Sequence, residues 1–376
     1  MTAWSTTVPA GSYVTDVVAW AFFILLSLLI LVVAYAVWRR GRNNSIRKRL
    51  AARSPIYSRL LAGLRSGTPP PDEEIRAEVP RRDFGILELF LRDRLAAADS
   101  GDATPERRLA EACGFLPFIR KRARGGRGWK RAANLHALAL LRDPADLDLF
   151  RDAIERDPRR PCVFAAAFGL ARLGEAADLP RIVHRLYNPA APNRDELLMV
   201  LSTFGPAQAP GLLEFLRTAD LPESPAGVLA DLLGIWKYAP AGEALEERLA
   251  QARGGELKIH LIEALEKIGT RATCERLRPF LQDPDFRVRL KAVNALERLG
   301  GADFLDDARA LLADPVHWVR RNAAEAILRM GDVGRQILKE AAQSADDGPR
   351  RAAKMVLAEN QFKRIRWRFR YAESVP

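Results

Sequence analysis

The sequence predicts an all-α fold: an α-solenoid of helix pairs, an armadillo-like superhelix, preceded by a single transmembrane helix. Three observations predict it. Apolar residues recur at helical spacing through the second half of the chain, this pattern repeats at a fixed period, and a 22-residue stretch near the N-terminus carries no charge. The clearest copies are Leu257–Gly269 (LKIHLIEALEKIG), Val288–Gly300 (VRLKAVNALERLG) and Val319–Gly331 (VRRNAAEAILRMG), with closing glycines 31 residues apart. One unit of this length cannot bury its own apolar stripe, so the copies must stack.

In the second copy Val288, Ala292, Ala295, Leu296 and Leu299 form the stripe; Val319, Ala323, Ala326, Ile327 and Met330 match it in the third. Alanine at its centre lets neighbouring helices approach closely. Gly269, Gly300 and Gly331 are expected to take the left-handed conformation that ends a helix. Asp283-Pro284 and Asp314-Pro315 stand just ahead of these helices. There the carboxylate meets free amides and proline stops the preceding helix.

These residues resemble the HEAT-repeat family in its bacterial, PBS-lyase-type form. They are Asp283-Pro284 with Val288-Arg289 and Asp314-Pro315 with Val319-Arg320, each followed by Ala-x-x-Ala-(Leu/Ile)-x-x-(Leu/Met)-Gly. The resemblance implies that Asp283, Arg289, Asp314 and Arg320 form a structural ladder between repeats. Earlier copies are weaker: Asp157-Pro158 leads into a helix ending at Gly174, but Val163 occupies the ladder position. Trp129–Leu141 reads as another second helix, and 193–205 and 225–236 are degenerate. With ~30–45 residues per unit, roughly seven or eight pairs fit between residues 83 and 361. The motif specifies the fold and says little about function.

Val17–Trp38 (VVAWAFFILLSLLILVVAYAVW) is the uncharged stretch. As a helix it spans about 33 Å, enough for a bilayer core. Trp20, Tyr35 and Trp38 stand near its ends, as interfacial aromatics do. The 16 residues before it hold no Lys or Arg, unlike a signal peptide. Residues 39–60 hold eight basic residues and no acid, which predicts an N-terminus outside and a solenoid in the cytoplasm. Cys113, Cys162 and Cys274 lie far apart in apolar patterns, as buried thiols of a reducing compartment do. Arginine outnumbers lysine 49 to 10, pointing to a GC-rich bacterium and its inner (plasma) membrane.

The expected organisation is a short extracytoplasmic tail at 1–16, the span at 17–38, a basic juxtamembrane helix and Pro-rich linker at 39–82, the solenoid at 83–361, and a basic-aromatic tail at 362–376. Of the net charge of +12, three islands supply +8 (39–60), +7 (120–131) and +5 (363–370), so the remainder is acidic by 8. That distribution argues against a nucleic-acid binder. The first island, with Ile46, Leu50, Tyr57, Leu60, Leu61 and Leu64, reads as a basic helix at 45–65 on the anionic leaflet through Arg47, Lys48 and Arg49. The stretch 66–82 reads as a stiff polar spacer. The second island, broken by Gly125, Gly126 and Gly128, reads as a cationic loop. In the third, Ile365, Trp367, Phe369 and Tyr371 alternate with Arg366, Arg368 and Arg370. This period of two predicts an extended segment, either capping the last repeat or meeting an anionic surface through Arg366, Trp367 and Arg368.

No catalytic or cofactor-binding constellation and no metal-ligand spacing is present. His136, His184, His260 and His317 are scattered, none in HExxH. The HEAT-like hydroxylases of hypusine synthesis rely on His-Glu dipeptides, which this chain lacks, and nothing marks a bilin site. Aligning the copies places His260, Glu263, Lys291, Asn294, Asn322 and Glu325 on one face, the concave one if second helices point inward. A further column, Arg172, Lys267, Arg298 and Arg329, reads as helix-dipole complementation or as a basic stripe on that face. The mixed signs suit a protein partner. The reading is therefore a non-enzymatic membrane-anchored scaffold, similar in plan to accessory proteins of envelope or polysaccharide systems. The alternatives are a helical-repeat enzyme of the DNA glycosylase type and a ligand-sensing regulator.

Overall fold

The computed structural model describes residues 11–66, 69–97, 103–126, 128–188 and 193–372, with no strand among them. The chain divides into two compact units, residues 1–122 and 123–376.

The first unit begins with one 55-residue helix, α1 (Gly11–Arg65). It continues through α2 (Asp72–Glu78), α3 (Phe84–Ala97), α4 (Thr104–Ala112) and the start of α5 (Phe115–Gly125). The two ends of α1 differ. Its large apolar side chains from Trp20 to Trp38 are 40–70% exposed, whereas Tyr57, Leu60 and Leu61 are buried, the α1 segment meeting α3 and α4. Tyr57 stacks edge-on against Phe90 with ring centroids 5.2 Å apart. Arg65 and Arg94 donate to buried Glu106 at 2.7 and 2.9 Å. The apolar side of 57–61 is thus covered by protein, which revises the expected surface helix over its C-terminal part; Ile46 and Leu50 stay half-exposed. The polar spacer is revised too: within 66–82, Ile75 and Val79 are buried and Arg76 donates to the Ala112 carbonyl at 2.9 Å. Ile75 lies in the seven-residue helix α2 and Val79 just after its end, a short element that the surrounding prolines and acids disguise.

The second unit starts with α6 (Trp129–Leu141) and continues as seven helix pairs among the described residues. These are α7 (Leu147–Arg156) with α8 (Arg160–Leu173), α9 (Leu179–Leu186) with α10 (Arg194–Ser202), and α11 (Ala209–Thr218) with α12 (Glu223–Ile235). Then come α13 (Gly242–Gln251) with α14 (Gly255–Ile268), α15 (Thr273–Leu277) with α16 (Phe286–Gly300), α17 (Leu305–Ala310) with α18 (His317–Arg329), and α19 (Asp332–Ala341) with α20 (Asp347–Ala372). Second helices pack on second helices and cover the first-helix layer, the arrangement of an α-solenoid. Ala292, Ala295, Ala323 and Ala326 are wholly buried, as the stripe requires.

Three expectations are corrected here. Of the closing glycines only Gly331 has a positive φ, +78°, and its ψ of −136° is not the left-handed helical turn. At the second copy α16 runs through Gly300 and the positive φ falls on Gly301, again with ψ far from that turn at −126°. Gly269 is extended and needed for space, since a Cβ there would stand 2.5 Å from the Leu265 carbonyl oxygen. The second basic island is mostly helical, in α5 and α6, because its glycines interrupt only the residues between them. The C-terminal segment is helical to Ala372 rather than extended. Arginine, isoleucine and the aromatics all tolerate a helix continued from α20, so alternation alone does not select a strand. The side chains of 362–372, Arg366, Trp367 and Arg368 included, lie outside the described residues.

Candidate functional site: the face of the second helices

The helices that carry this face are held in register by the Asp–base ladder. Arg289 donates from Nε and Nη2 to both carboxylate oxygens of Asp314 at 2.8 and 2.9 Å, and from Nη1 to its own repeat's Asp283 carbonyl at 2.8 Å. Asp314 in turn accepts the Val316 amide at 2.7 Å, so one side chain closes the turn ahead of α18 and binds the preceding repeat. Lys258 reaches Asp283 at 2.7 Å and Arg131 reaches Asp157 at 2.8 Å in the same way. Arg320 donates to the carbonyls of Asp314 and Pro315 at 2.7 and 2.9 Å. Arg350 repeats that pattern on Ser344 and Ala345, a position the sequence reading missed because serine replaces the aspartate.

With α14, α16 and α18 so fixed, residues three positions apart on each helix project from one side. His260 and Glu263, Lys291 and Asn294, and Asn322 and Glu325 all fall there, each half-buried. The structure also joins them. Glu263 pairs with Lys291, and Asn322 donates to Asn294 at 2.9 Å. Glu325 accepts from Arg321 at 2.9 Å, and Arg321 also reaches Glu359 on α20 at 3.1 Å. At the other end His260 Nδ1 lies 3.2 Å from Asp231 Oδ1 and 3.4 Å from Arg194 Nη2, and Arg194 pairs with Asp231. Nδ1 can donate to the carboxylate or accept from the guanidinium, not both. Burial first, then the Arg194 charge, holds the imidazole below its ordinary value despite Glu263 and Glu256.

The second basic column lies in the last turns of α8, α14, α16 and α18, where bases complement the helix dipole, and its arginines also have side-chain partners. Arg298 reaches back to Glu266 at 3.2 Å, and Arg329 to Glu297. Arg172 lies over the Phe168 ring, 5.4 Å from its centroid, and Phe168 stacks on His136 at 5.2 Å. Sequence reasoning found the bases and overlooked their partners. The signal was present, since Glu266-Lys267 and Glu297-Arg298 recur at the repeat period. Arg194 and Asp231 had no such signal.

Asp231, His260 and Glu263 bring one potential metal-ligand atom each within 4.8 Å of the others. Arg194 and Lys291 already take up the two carboxylates, so the set reads as an ion-pair network. The result is a polar spine of successive clusters from Arg194 on α10 to Glu359 on α20, acid–base at both ends and around Lys291, with a neutral Asn294–Asn322 pair between.

The family described as HEAT repeats matches residues 242–329, the segment carrying the regular ladder and most of the spine. These residues are HEAT repeats. No curated protein matches the sequence. Among solved structures, Kap121p is similar at 13% identity over 73% of this chain and 41% of its own, with a TM-score of 0.37. The chain thus spans about two fifths of Kap121p. The complex of CpcE and CpcF of phycocyanin lyase from Nostoc sp. PCC7120 is similar at 21% identity over 65% and 94%, with a TM-score of 0.28. Human deoxyhypusine hydroxylase in complex with glycerol is similar at 14% identity over 66% and 98%, with a TM-score of 0.27. At such TM-scores none of these carries an argument about function. The HEAT repeats of this chain hold their own polar face, and its chemistry has to be read from the chain itself.

Proposed function

We propose that the chain is a membrane-anchored scaffold: residues 17–38 cross the bilayer once, the N-terminus lies outside, and the solenoid binds a protein partner along the spine in the cytoplasm. The observation that carries this reading is the contrast within α1. Its run from Trp20 to Trp38 is apolar and exposed, while the same helix buries Tyr57, Leu60 and Leu61 in protein. A core helix of a soluble domain would bury such a run; an exposed one needs lipid around it. The balanced charge of the spine favours a protein surface of mixed polarity over a phosphate backbone. Arg298 and Arg329, which a nucleic-acid groove would need free, are paired with glutamates.

Fusions at the C-terminus test the anchor. Alkaline phosphatase there should be inactive, a fluorescent protein bright, and both should stay in the membrane pellet after alkaline carbonate. Active phosphatase would overturn the orientation, and release by carbonate the span. A photo-crosslinker at Asn294 should then trap one defined protein that the same group at Glu247, exposed on α13, does not. Equal trapping from both positions would overturn the spine as the binding face.

A further inference from the structure

We propose that one stripe of α1 is a binding site for an anionic phospholipid, a reading that rests on the membrane anchor proposed above. A surface groove of about 470 Å³ runs along Val32, Tyr35, Ala36, Arg39, Arg40, Asn43, Asn44 and Arg47. These positions step by three or four, so they form one line down the helix. The line divides sharply: its first three residues are apolar or aromatic and lie within the 17–38 span, and the rest are cations and amides just beyond it. From Arg39 to Arg47 the helix rises about 12 Å, the depth of a headgroup layer and its immediate surroundings.

The charge of this stripe is uncompensated. The sequence holds no acid from residue 17 to residue 71. The ion pairs of α1 begin only at Arg53, which meets Asp83, and continue at Arg59 with Glu78 and Arg65 with Glu106. Elsewhere in the chain arginines are paired with carboxylates repeat after repeat. Here Arg39, Arg40 and Arg47 are exposed and meet none among the described residues.

The missing acids also decide the occupant. A second copy of α1 on the same stripe would set these arginines against identical arginines, with no carboxylate between residues 17 and 65 of either helix to relieve them. An anionic phospholipid fits both halves. Its acyl chain lies against Val32, Tyr35 and Ala36, its phosphate accepts from Arg40, Arg47 and Arg39, and the Asn43 and Asn44 amides can donate to ester or headgroup oxygens.

The test uses the full chain reconstituted in phosphatidylcholine vesicles doped with spin-labelled phosphatidylglycerol. It compares R40Q/R47Q with R42Q/R49Q, which removes the same charge from the opposite side of the helix. At about five-fold per arginine, the stripe pair should weaken phosphatidylglycerol retention roughly twenty-five-fold. The opposite pair should weaken it by no more than about three-fold, half the stripe's per-residue effect or less. Labelled phosphatidylcholine should be retained by neither variant nor wild type, and millimolar inorganic phosphate should not displace the lipid. Equal losses in both pairs would show a diffuse cationic collar and overturn the site. Displacement by inorganic phosphate would overturn the acyl half. Wild type that inserts, resists carbonate and shows no lipid preference sinks this proposal alone, whereas failure to insert sinks the anchor.

Discussion

From α14 to α18 successive second helices are tied by charge: Lys258 to Asp283, Arg289 to Asp314, Glu263 to Lys291, Glu297 to Arg329. From α8 to α12 the equivalent ladder is missing. Val163 fills the position of the base, and the Asp-Pro position 25 residues on reads Asn188-Pro189. Charge ties this region at other positions: Arg160 on α8 meets Glu196 on α10, Arg194 on α10 meets Asp231 on α12, and on the first helices Arg151 donates to wholly buried Asp178 at 3.0 Å and Arg181 joins the same carboxylate. The second helices of this region also approach closely through small residues. Ala166 and Ala167 are wholly buried, and a Cβ on Gly227 or Gly234 would stand 2.9 Å from His260 or Ala264. Stacking therefore requires the buried stripe and close approach in both regions, while the ladder is one of several ways to fix register. That difference also explains why the HEAT-repeat match begins only at residue 242.

The largest expected effect tests what the regions share. Ala295→Arg and Ala166→Arg each place an unpaired charge in a wholly buried stripe, and each should cost about 4 kcal/mol or more. Both should lower the unfolding midpoint of the full chain in detergent by similar amounts. Tolerance of Ala166→Arg would break the comparison, because the early region would then not depend on its stripe.

Next comes the difference between them. Asp314→Ala strands Arg289, itself buried, and should cost about 3–5 kcal/mol. Asp178→Ala should cost less, about 1–2 kcal/mol, since the Arg151 and Arg181 side chains are a third exposed and can turn to water. Urea midpoints of the two variants check this, and equal losses would mean that the late ladder has no special weight. Lys291→Ala tests the spine. Lys291 is half-buried and paired with Glu263, yet both ends still reach water, so the loss should stay below about 1 kcal/mol. A loss above 2 kcal/mol would make the spine a stabilising element rather than a surface open to a partner.

What the sequence made legible follows the same division. The late repeats, their stripes and the ladder residues could be read because period, Asp-Pro and alanine recur together. The middle of the spine, His260 and Glu263 through Asn322 and Glu325, could be placed on one face by alignment alone; its two ends could not. Nor could the pairings be read: Arg194 and Asp231 stand 37 residues apart on helices whose register only folding supplies. Glycine misled in a different way, since Gly269 is kept for space and not for a left-handed turn. The buried end of α1 was hidden because a basic amphipathic helix reads alike whether lipid or protein covers its apolar side.

His260 lies on the seam between the two regions and offers the smallest and sharpest test. Asp231 and Arg194 reach it from the early repeats, Glu263 and Lys291 from the late ones. Its imidazole is held below the ordinary value by burial and by Arg194. An unfolded chain takes up this proton near pH 6.5, while the folded chain waits for a lower pH. Between those two values the unfolded state binds more protons, so this group's contribution to stability falls as pH drops through 6.5 and levels off below the folded value. His260→Gln keeps a polar side chain and removes the titration. Wild type should therefore lose more stability than the variant between pH 7.5 and 5, measured as the change in urea midpoint. The opposite order would mean that Asp231 and Glu263 hold a charged imidazole, and that carboxylates rather than Arg194 set the potential at the seam.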